Sequence, residues 1–419
     1  MKILYISYFY PPLGGPAALR NVKTVKYLTE LGCEIDVISV GDIEYNYHDD
    51  SLLEECKQHR LIRTTSYDPM AVMKKVLGKR KQASQALYRK TPERIKLLVR
   101  RLYPLDDKVG WLPPLYKAGA QALMDTKYDL IYVSCGPFSS SLAAYWLSRR
   151  FKVPYAVEMR DYWTLLSDYN LQGSWLHRAF AKCWEKRILH AAKFIITATK
   201  GIAEDLAQAF GKELSAKMQV LYNGHDKEDY EGIALVQRDD AAFVISYFGA
   251  LYARRSLKGF FAAVKQAQEE GSLQRSIMIK LYGNYHVETE REIAESGING
   301  QISIIPALSH REALQEMAAS DALLLVINSS SPRGTLTSKV FEYLRIGKPI
   351  LALAPQHGEV AELLHESGQD FICAMESVSA IKECLIRIQK PRSHAFSYNQ
   401  AKYMRRAQVL ELYKFLQSL

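Results

Sequence analysis

Residues 333–354, RGTLTSKVFEYLRIGKPILALA, constrain the fold more tightly than any other stretch of the chain. A loop with Gly334 and small hydroxyl residues leads into a helix predicted over residues 338–346, with Thr337 or Ser338 suited to its N-cap. Gly347 stops that helix, and Pro349 follows where no helix can continue. Residues 350–354 are then continuously apolar, as a strand buried on both faces of a parallel sheet requires. Val340, Phe341 and Leu344 form one stripe at about 100° per residue. Lys339 and Glu342 fall beside it, three apart.

The same alternation runs through the chain. In the first half, strands are expected over residues 2–8, 34–40, 128–134, 154–158, 194–198 and 220–223, and helices over 16–31, 137–150, 177–189 and 201–210. A polar, acidic stretch, 225–241, reads as a linker. Beyond it strands are expected over 243–247, 277–282, 302–305, 322–327 and 371–373, with helices to about 270 and over 310–320, 358–367 and 399–419. Alternating strands and helices in both halves predict an α/β protein of two doubly wound, Rossmann-like domains. The expected division is 1–224 plus 400–419 for the first domain and 242–399 for the second.

With 419 residues, 48% hydrophobic and 24% charged, the chain is ordinary globular material. No apolar run approaches the roughly 18–20 residues of a membrane span. It opens directly on a strand pattern, so neither a signal peptide nor a tag is expected. Cysteines at 33, 56, 135, 183, 373 and 384 form no C-x-x-C pair, which argues for reduced cytosolic thiols over zinc or a disulfide framework. The net charge of +10 is uneven: from Lys74 to Arg101 there are eleven Lys or Arg and one acid, Glu93. Leu77, Leu87, Ile95 and Leu98 interleave with the cations, which suits an amphipathic helix pair. That segment is open to three readings: a solvated face, a surface meeting anionic lipid, or a nucleic-acid patch. No nucleic-acid-binding motif accompanies it.

Several places invite chemistry. A helix start at Ser338 offers backbone N–H groups and about half a positive charge, so it suits an anion. Gly334 would let the backbone approach a phosphate, Lys339 adds charge, and Glu342 could accept from ribose hydroxyls. An ordinary amphipathic helix with one i,i+3 ion pair fits the same spacing. Arg160 and Asp161 follow a strand's carboxyl end, where open α/β sheets place ligands. Asp161 could be a general base, a stabiliser of positive charge, a ligand of sugar hydroxyls, or half of a local pair with Arg160. No two Asp residues are spaced by two, so a diphosphate-chelating Asp-x-Asp is absent and no metal is expected.

SKVFEYLRIGKPILAL resembles the nucleotide-binding segment of GT-B glycosyltransferases of retaining family 4, the group 1 type, in a bacterial polysaccharide-biosynthesis branch. The resemblance implies two domains facing a central cleft, with the last helix crossing back to the first. It places Glu342 on the ribose of a nucleotide-diphosphate sugar. It places the backbone of Thr335, Leu336, Thr337 and Ser338 on the pyrophosphate, with Gly334 and Lys339 beside it. YFYPPLGGPAALR resembles the family's opening, which turns Gly14 and Gly15 to the cleft and Arg20 toward a phosphate. EMRDYW resembles its RDLW segment, with Asp161 favoured over Arg160 for the reacting centre. VLYNGHD looks like the hinge. Gly249 opens a turn whose cations clamp the diphosphate in the family, a role carried to Lys258, as a second catalytic residue, and Arg254. Gly283 matches a turn near the base.

The sequence departs from the family where Gly334 replaces a sugar-contacting Glu, where Ala250 replaces an Arg, and where Lys258 falls two residues late. The implied function is a retaining, metal-independent hexosyltransferase that uses a nucleotide-sugar co-substrate, no cofactor, and a hydroxyl acceptor such as a lipid-linked glycan. It would be cytoplasmic, peripheral at the inner face of an anionic membrane through the segment from Lys74 to Arg101. A nucleotide-sugar epimerase and a non-catalytic nucleotide-sugar-binding module remain the alternatives.

Overall fold

A computed structural model describes residues 1–41, 43, 48–57, 59–68, 105–166, 174–234, 242–251, 255–285, 287–391 and 396–418. Arg254, the segment from Lys74 to Arg101 and the second half of the expected linker lie outside the described residues. The chain divides into two compact units, Met1–Asn223 with Arg405–Leu419, and Gly224–Met404.

The first unit runs β1 (Lys2–Ser7), α1 (Pro16–Glu30), β2 (Glu34–Val40), β3 (Arg60–Thr64), α2 (Leu112–Asp125), β4 (Leu130–Ser134), α3 (Ser139–Phe151), β5 (Tyr155–Met159), α4 (Trp175–Ala191), β6 (Phe194–Thr197), α5 (Lys200–Phe210) and β7 (Met218–Val220). Its seven strands are parallel in the order β3-β2-β1-β4-β5-β6-β7, with Ile3 between Ile35 and Leu130. Both faces of the sheet are buried, which explains the unbroken apolar runs. Leu4 and Ile6 enter one core layer with Val133 and Leu147, while Ile3 and Tyr5 enter the other with Val22 and Val37. Gly15, at φ +91°, turns the chain into α1, and Pro16 at the first helical position is pre-set for it.

The second unit runs β8 (Ala242–Phe248), α6 (Lys258–Glu269), β9 (Ser276–Tyr282), α7 (Val287–Glu295), β10 (Ile302–Ile305), α8 (His310–Ala318), β11 (Ala322–Val326), α9 (Lys339–Ile346), β12 (Ile350–Leu353), α10 (Glu359–Glu366), β13 (Ile372–Cys373), α11 (Val378–Ile388) and α12 (Gln400–Tyr403). Its parallel sheet has the order β10-β9-β8-β11-β12-β13. Gly347 ends α9 at φ +77°, the left-handed cap its position predicts.

The expected helix over 399–419 is two helices. Met404 is extended and bridges to His225, whose N–H donates to Tyr403 O at 3.0 Å. That main-chain pairing competes with the helix, and α13 (Arg405–Leu416) then packs on α1 in the first unit. Residues 225–234, expected in the linker, belong to the second unit. Asp226 and Tyr230 are buried there, and the Arg345 guanidinium lies 4.9 Å from the Tyr230 ring centroid. β3, α2, α7 and α11 have no counterpart among the sequence expectations, and β7 begins two residues earlier than expected.

Candidate active site

In an open α/β sheet the ligand crevice lies beyond the carboxyl ends of the strands, where the strand order reverses. The second unit reverses between β8 and β11. Beyond those ends lie Gly249, Asn328 and the loop into α9. Gly249 has φ +115°, and a Cβ there would run into the Lys339 ammonium. That ammonium sits 4.8 Å from the Tyr247 ring centroid. Burial and, after it, the charge of Arg255 bring the lysine down to about 8, with Glu342 working the other way. Gly283, at φ +154°, packs on the same turn: a Cβ there would lie 2.6 Å from Gly249 O. The turn is fixed by Gly249 N–H donating to Tyr282 O at 2.7 Å and by the stacked rings of Phe248 and Tyr282, 4.5 Å apart.

Ser338 makes no side-chain cap to α9, and the buried Thr337 Oγ1 and Asn328 Oδ1 have no hydrogen-bond partner. Thr335 N–H is committed to Pro332 O at 2.9 Å, so it does not join the amides expected at a pyrophosphate. Gly334 is buried, while Leu336 and Ser338 are half-buried. Glu342 Oε1 accepts from His310 Nε2 at 3.1 Å, and His310 Nδ1 lies 3.9 Å from Asp229 Oδ2. His310, Asp229, Tyr247 and Asn328 carry no local sequence signal and were not expected here. The structure brings Lys339, Gly249 and Gly283 together. Lys258 is instead exposed at the first position of α6, with its charge acting on Glu295. The lysine against Gly249 is Lys339.

The first unit reverses between β1 and β4. There the N-terminus of α3 is already filled. The buried Asp106 carboxylate accepts from Ser139 N–H at 2.7 Å and Ser139 Oγ at 2.9 Å. Burial raises that carboxyl to about 6, against the pull of these bonds. Arg20, expected at a phosphate, is buried and spent on protein. Its Nε donates to Glu158 Oε1 at 2.8 Å, Nη2 to Leu221 O at 2.7 Å and Nη1 to Asn223 Oδ1 at 3.0 Å. It ties α1 to β5 and to the segment after β7. Gly14 is buried, and the loop it shares with Gly15 is pinned by Asn21, whose amide donates to Phe9 O at 2.9 Å. Arg160 also donates to main chain, at Cys135 O (2.7 Å) and Gly136 O (3.1 Å). Asp161, by contrast, stands exposed just past the end of β5. Behind it the buried Glu185 of α4 accepts from Thr164 N–H at 3.1 Å and from its hydroxyl. Burial raises Glu185 to about 7.

Residues 21–224 match the family described as Glycosyl transferase 4-like domain. No curated protein sequence matches the chain. Sucrose-phosphate synthase from Thermosynechococcus elongatus is similar in structure at 14% identity and TM-score 0.62, over 100% of this chain and 94% of that one. Anabaena HepE, solved in complex with UDP-glucose, is similar at 16% identity and TM-score 0.60, over 100% of both chains. UDP-GlcNAc 2-epimerase from Methanocaldococcus jannaschii is similar at 13% identity and TM-score 0.57, again over 100% of both. The chain therefore has the GT-B fold, and its similarity to the Glycosyl transferase 4-like domain lies within residues 21–224.

Proposed function

We propose that the protein is a retaining, metal-independent glycosyltransferase, moving a sugar from a nucleotide-diphosphate donor to a hydroxyl acceptor in cell-surface polysaccharide or lipid-linked glycan synthesis. One contrast carries this reading. Of the helix starts that follow β4 and β11, that of α3 is filled by Asp106, whereas that of α9 has no side-chain cap and has the Lys339 ammonium beside it. An anion such as a diphosphate fits the second and would be repelled by the first. As the glycosidic bond breaks, negative charge grows on the departing diphosphate, and Lys339, Arg255 and the N-terminal dipole of α9 stabilise it without a metal. Glu342, oriented by His310, takes the ribose. Asp161 serves the reacting centre, as a base or as a counter-charge to the developing oxocarbenium ion. The basic segment from Lys74 to Arg101 suits an acceptor held at a membrane.

A structural relative bound to UDP-glucose makes UDP-sugars the first donors to test. Thermal shift against UDP-, GDP- and ADP-sugars identifies the donor, since a ligand at a hundred times its Kd adds about 2.7 kcal/mol. NMR of the product formed with an acceptor then reads the anomeric configuration, and inversion sinks the retaining reading. The similarity to an epimerase favours a second reading. A 2-epimerised sugar, formed from donor with no acceptor present, would establish that reading over transfer. Asp161→Asn is expected to lower kcat at least a hundredfold, on the scale of a lost acid–base or counter-charge group, with donor Kd unchanged.

A further inference from the structure

Helix α4 has two apolar faces. Ala181, Glu185, Ile188 and Leu189 form the buried one. Half a turn round the helix, where solvated charge is the rule, stand Leu176, Phe180 and Cys183. Trp175 is 68% exposed, Leu176 59% and Phe180 47%. The patch continues over neighbouring helices, since α2 packs on α3 and α3 on α4. Phe180 meets Trp184, Trp184 meets Trp146, and Trp146 meets Tyr116, with centroids 6.0–6.4 Å apart and rings inclined at 73–88°. The result is a ridge of aromatic edges across three helices. Exposed cations flank it: Lys117, Arg149, Arg150, Lys182, Lys186 and Arg187. Arg187 lies 5.1 Å from the Trp184 ring centroid. The described acids of these helices are Asp125, at the far end of α2, and Glu185, which is buried.

We propose that this α2–α3–α4 surface docks on an anionic phospholipid bilayer. Apolar rings would enter the headgroup boundary, and Lys and Arg would meet lipid phosphates. Charge selects this occupant over a second copy of the chain, because a two-fold contact would set cations against cations. Ring geometry selects it over nucleic acid, because edge-to-face rings offer no run of parallel platforms for bases. No described helix is long and apolar enough to cross a membrane, so the contact is with the surface. The inference extends the membrane-held acceptor of the proposed function to a defined surface, and it needs nothing from the donor site.

The test is flotation of the full chain with phosphatidylcholine vesicles, with and without phosphatidylglycerol. Flotation is expected only with the anionic lipid, and Leu176→Glu with Phe180→Glu should abolish it. Lys182→Ser and Lys186→Ser should each weaken it about fivefold, the effect shrinking in high salt. Brominated lipid should quench tryptophan emission in the wild type and not in the Leu176/Phe180 variant. UDP-sugar titration should be unchanged in every variant, which also checks folding. The proposal is overturned if the wild type does not float, or if the Leu176/Phe180 variant floats normally. It is equally overturned if flotation disappears only with Lys74→Ser and Lys75→Ser. A self-association or RNA retention that the Leu176/Phe180 variant abolishes overturns it too. Loss of donor binding with flotation intact would instead sink the proposed function and leave this surface standing.

Discussion

Lys339→Met separates a functional lysine from a structural one, because the two roles predict opposite signs for stability. Burial and the charge of Arg255 hold Lys339 at about 8, against 10.5 for a free lysine. A difference of ~2.5 units corresponds to about 3 kcal/mol spent keeping the ammonium charged in the empty protein at neutral pH. Methionine, an unbranched side chain one atom shorter, packs against Tyr247 without that cost. The variant should therefore be more stable than wild type by about 1–3 kcal/mol, raising the melting temperature of the second unit by about 3–10 °C. The gain depends on pH. The unfolded chain keeps the proton up to about 10.5 and the folded chain only to about 8. The advantage of methionine is thus full below pH 8 and closes as pH rises toward 10.5. Donor binding moves the other way. Losing charge-assisted bonds to a diphosphate costs about 1.5–3 kcal/mol, or about 10- to 150-fold in Kd. Wild-type affinity for UDP-glucose should be flat below pH 8 and fall up to tenfold per unit above it, while the variant should show no such slope. Calorimetric melting and titration calorimetry across pH 6–10 read both effects. A methionine variant that is less stable and binds UDP-sugars normally would falsify the anion-site reading.

Arg20→Ala should cost about 3–5 kcal/mol in urea unfolding, because it leaves the Glu158 carboxylate buried without its guanidinium. Donor Kd should not change, and a change would restore a phosphate role to Arg20. Glu342→Ala should weaken UDP about 10- to 150-fold and leave pyrophosphate binding within threefold, since pyrophosphate has no ribose; equal losses for both would place Glu342 on phosphate instead. Glu185→Gln should stabilise the protein at pH 8 and not at pH 4. With Glu185 held near 7, the folded state takes up a proton before the unfolded one, so wild-type stability falls as pH rises from about 4.5 to 7. A difference that stays constant over that window would show the carboxyl is not the cause.

Much of this architecture is legible in the sequence because parallel strands must be apolar on both faces. Residues 350–353 and 322–326 could be little else, and glycines such as Gly347 mark where helices stop. β3 escapes because Arg60 and Arg63 break its apolar run, the latter donating to Val40 O at 3.0 Å. α2 escapes because Pro113 and Pro114 read as breakers, although proline is well tolerated in a helix's first turn. Within the proposed site, local motif and spacing single out Lys339, Gly249 and Glu342. The same logic singles out Lys258, which the structure leaves exposed at the start of α6. Counting residues from Gly249 cannot say whether a side chain turns toward the sheet edge or into solvent, and Lys258 turns out. Arg20 looked like a phosphate ligand because a buried ion pair with a residue 138 positions away leaves no local trace.

The two halves of the chain pose one problem and solve it in opposite ways. Each sheet reverses its strand order once, and the later strand at each reversal, β4 or β11, feeds a helix whose N-terminus points beyond the strands. Such a terminus is an electrostatic demand for an anion, and a folded protein must either meet it internally or leave it for a ligand. The first unit meets it with Asp106, a carboxylate carried in from a loop more than thirty residues upstream of Ser139. The second unit gives α9 no side-chain cap, closes Val340 and Phe341 N–H only onto Thr337 O and Ser338 O at 3.3 and 3.2 Å, and sets the Lys339 ammonium against Tyr247 and near Arg255. Concentrated positive charge lowers stability, so Lys339 and Arg255 beside this helix start argue for a dianion that arrives with the substrate. The opposite assignment, with the diphosphate in the first unit, would require it to displace a carboxylate held by three hydrogen bonds, from Ser139 N–H, Ser139 Oγ and Lys108 N–H.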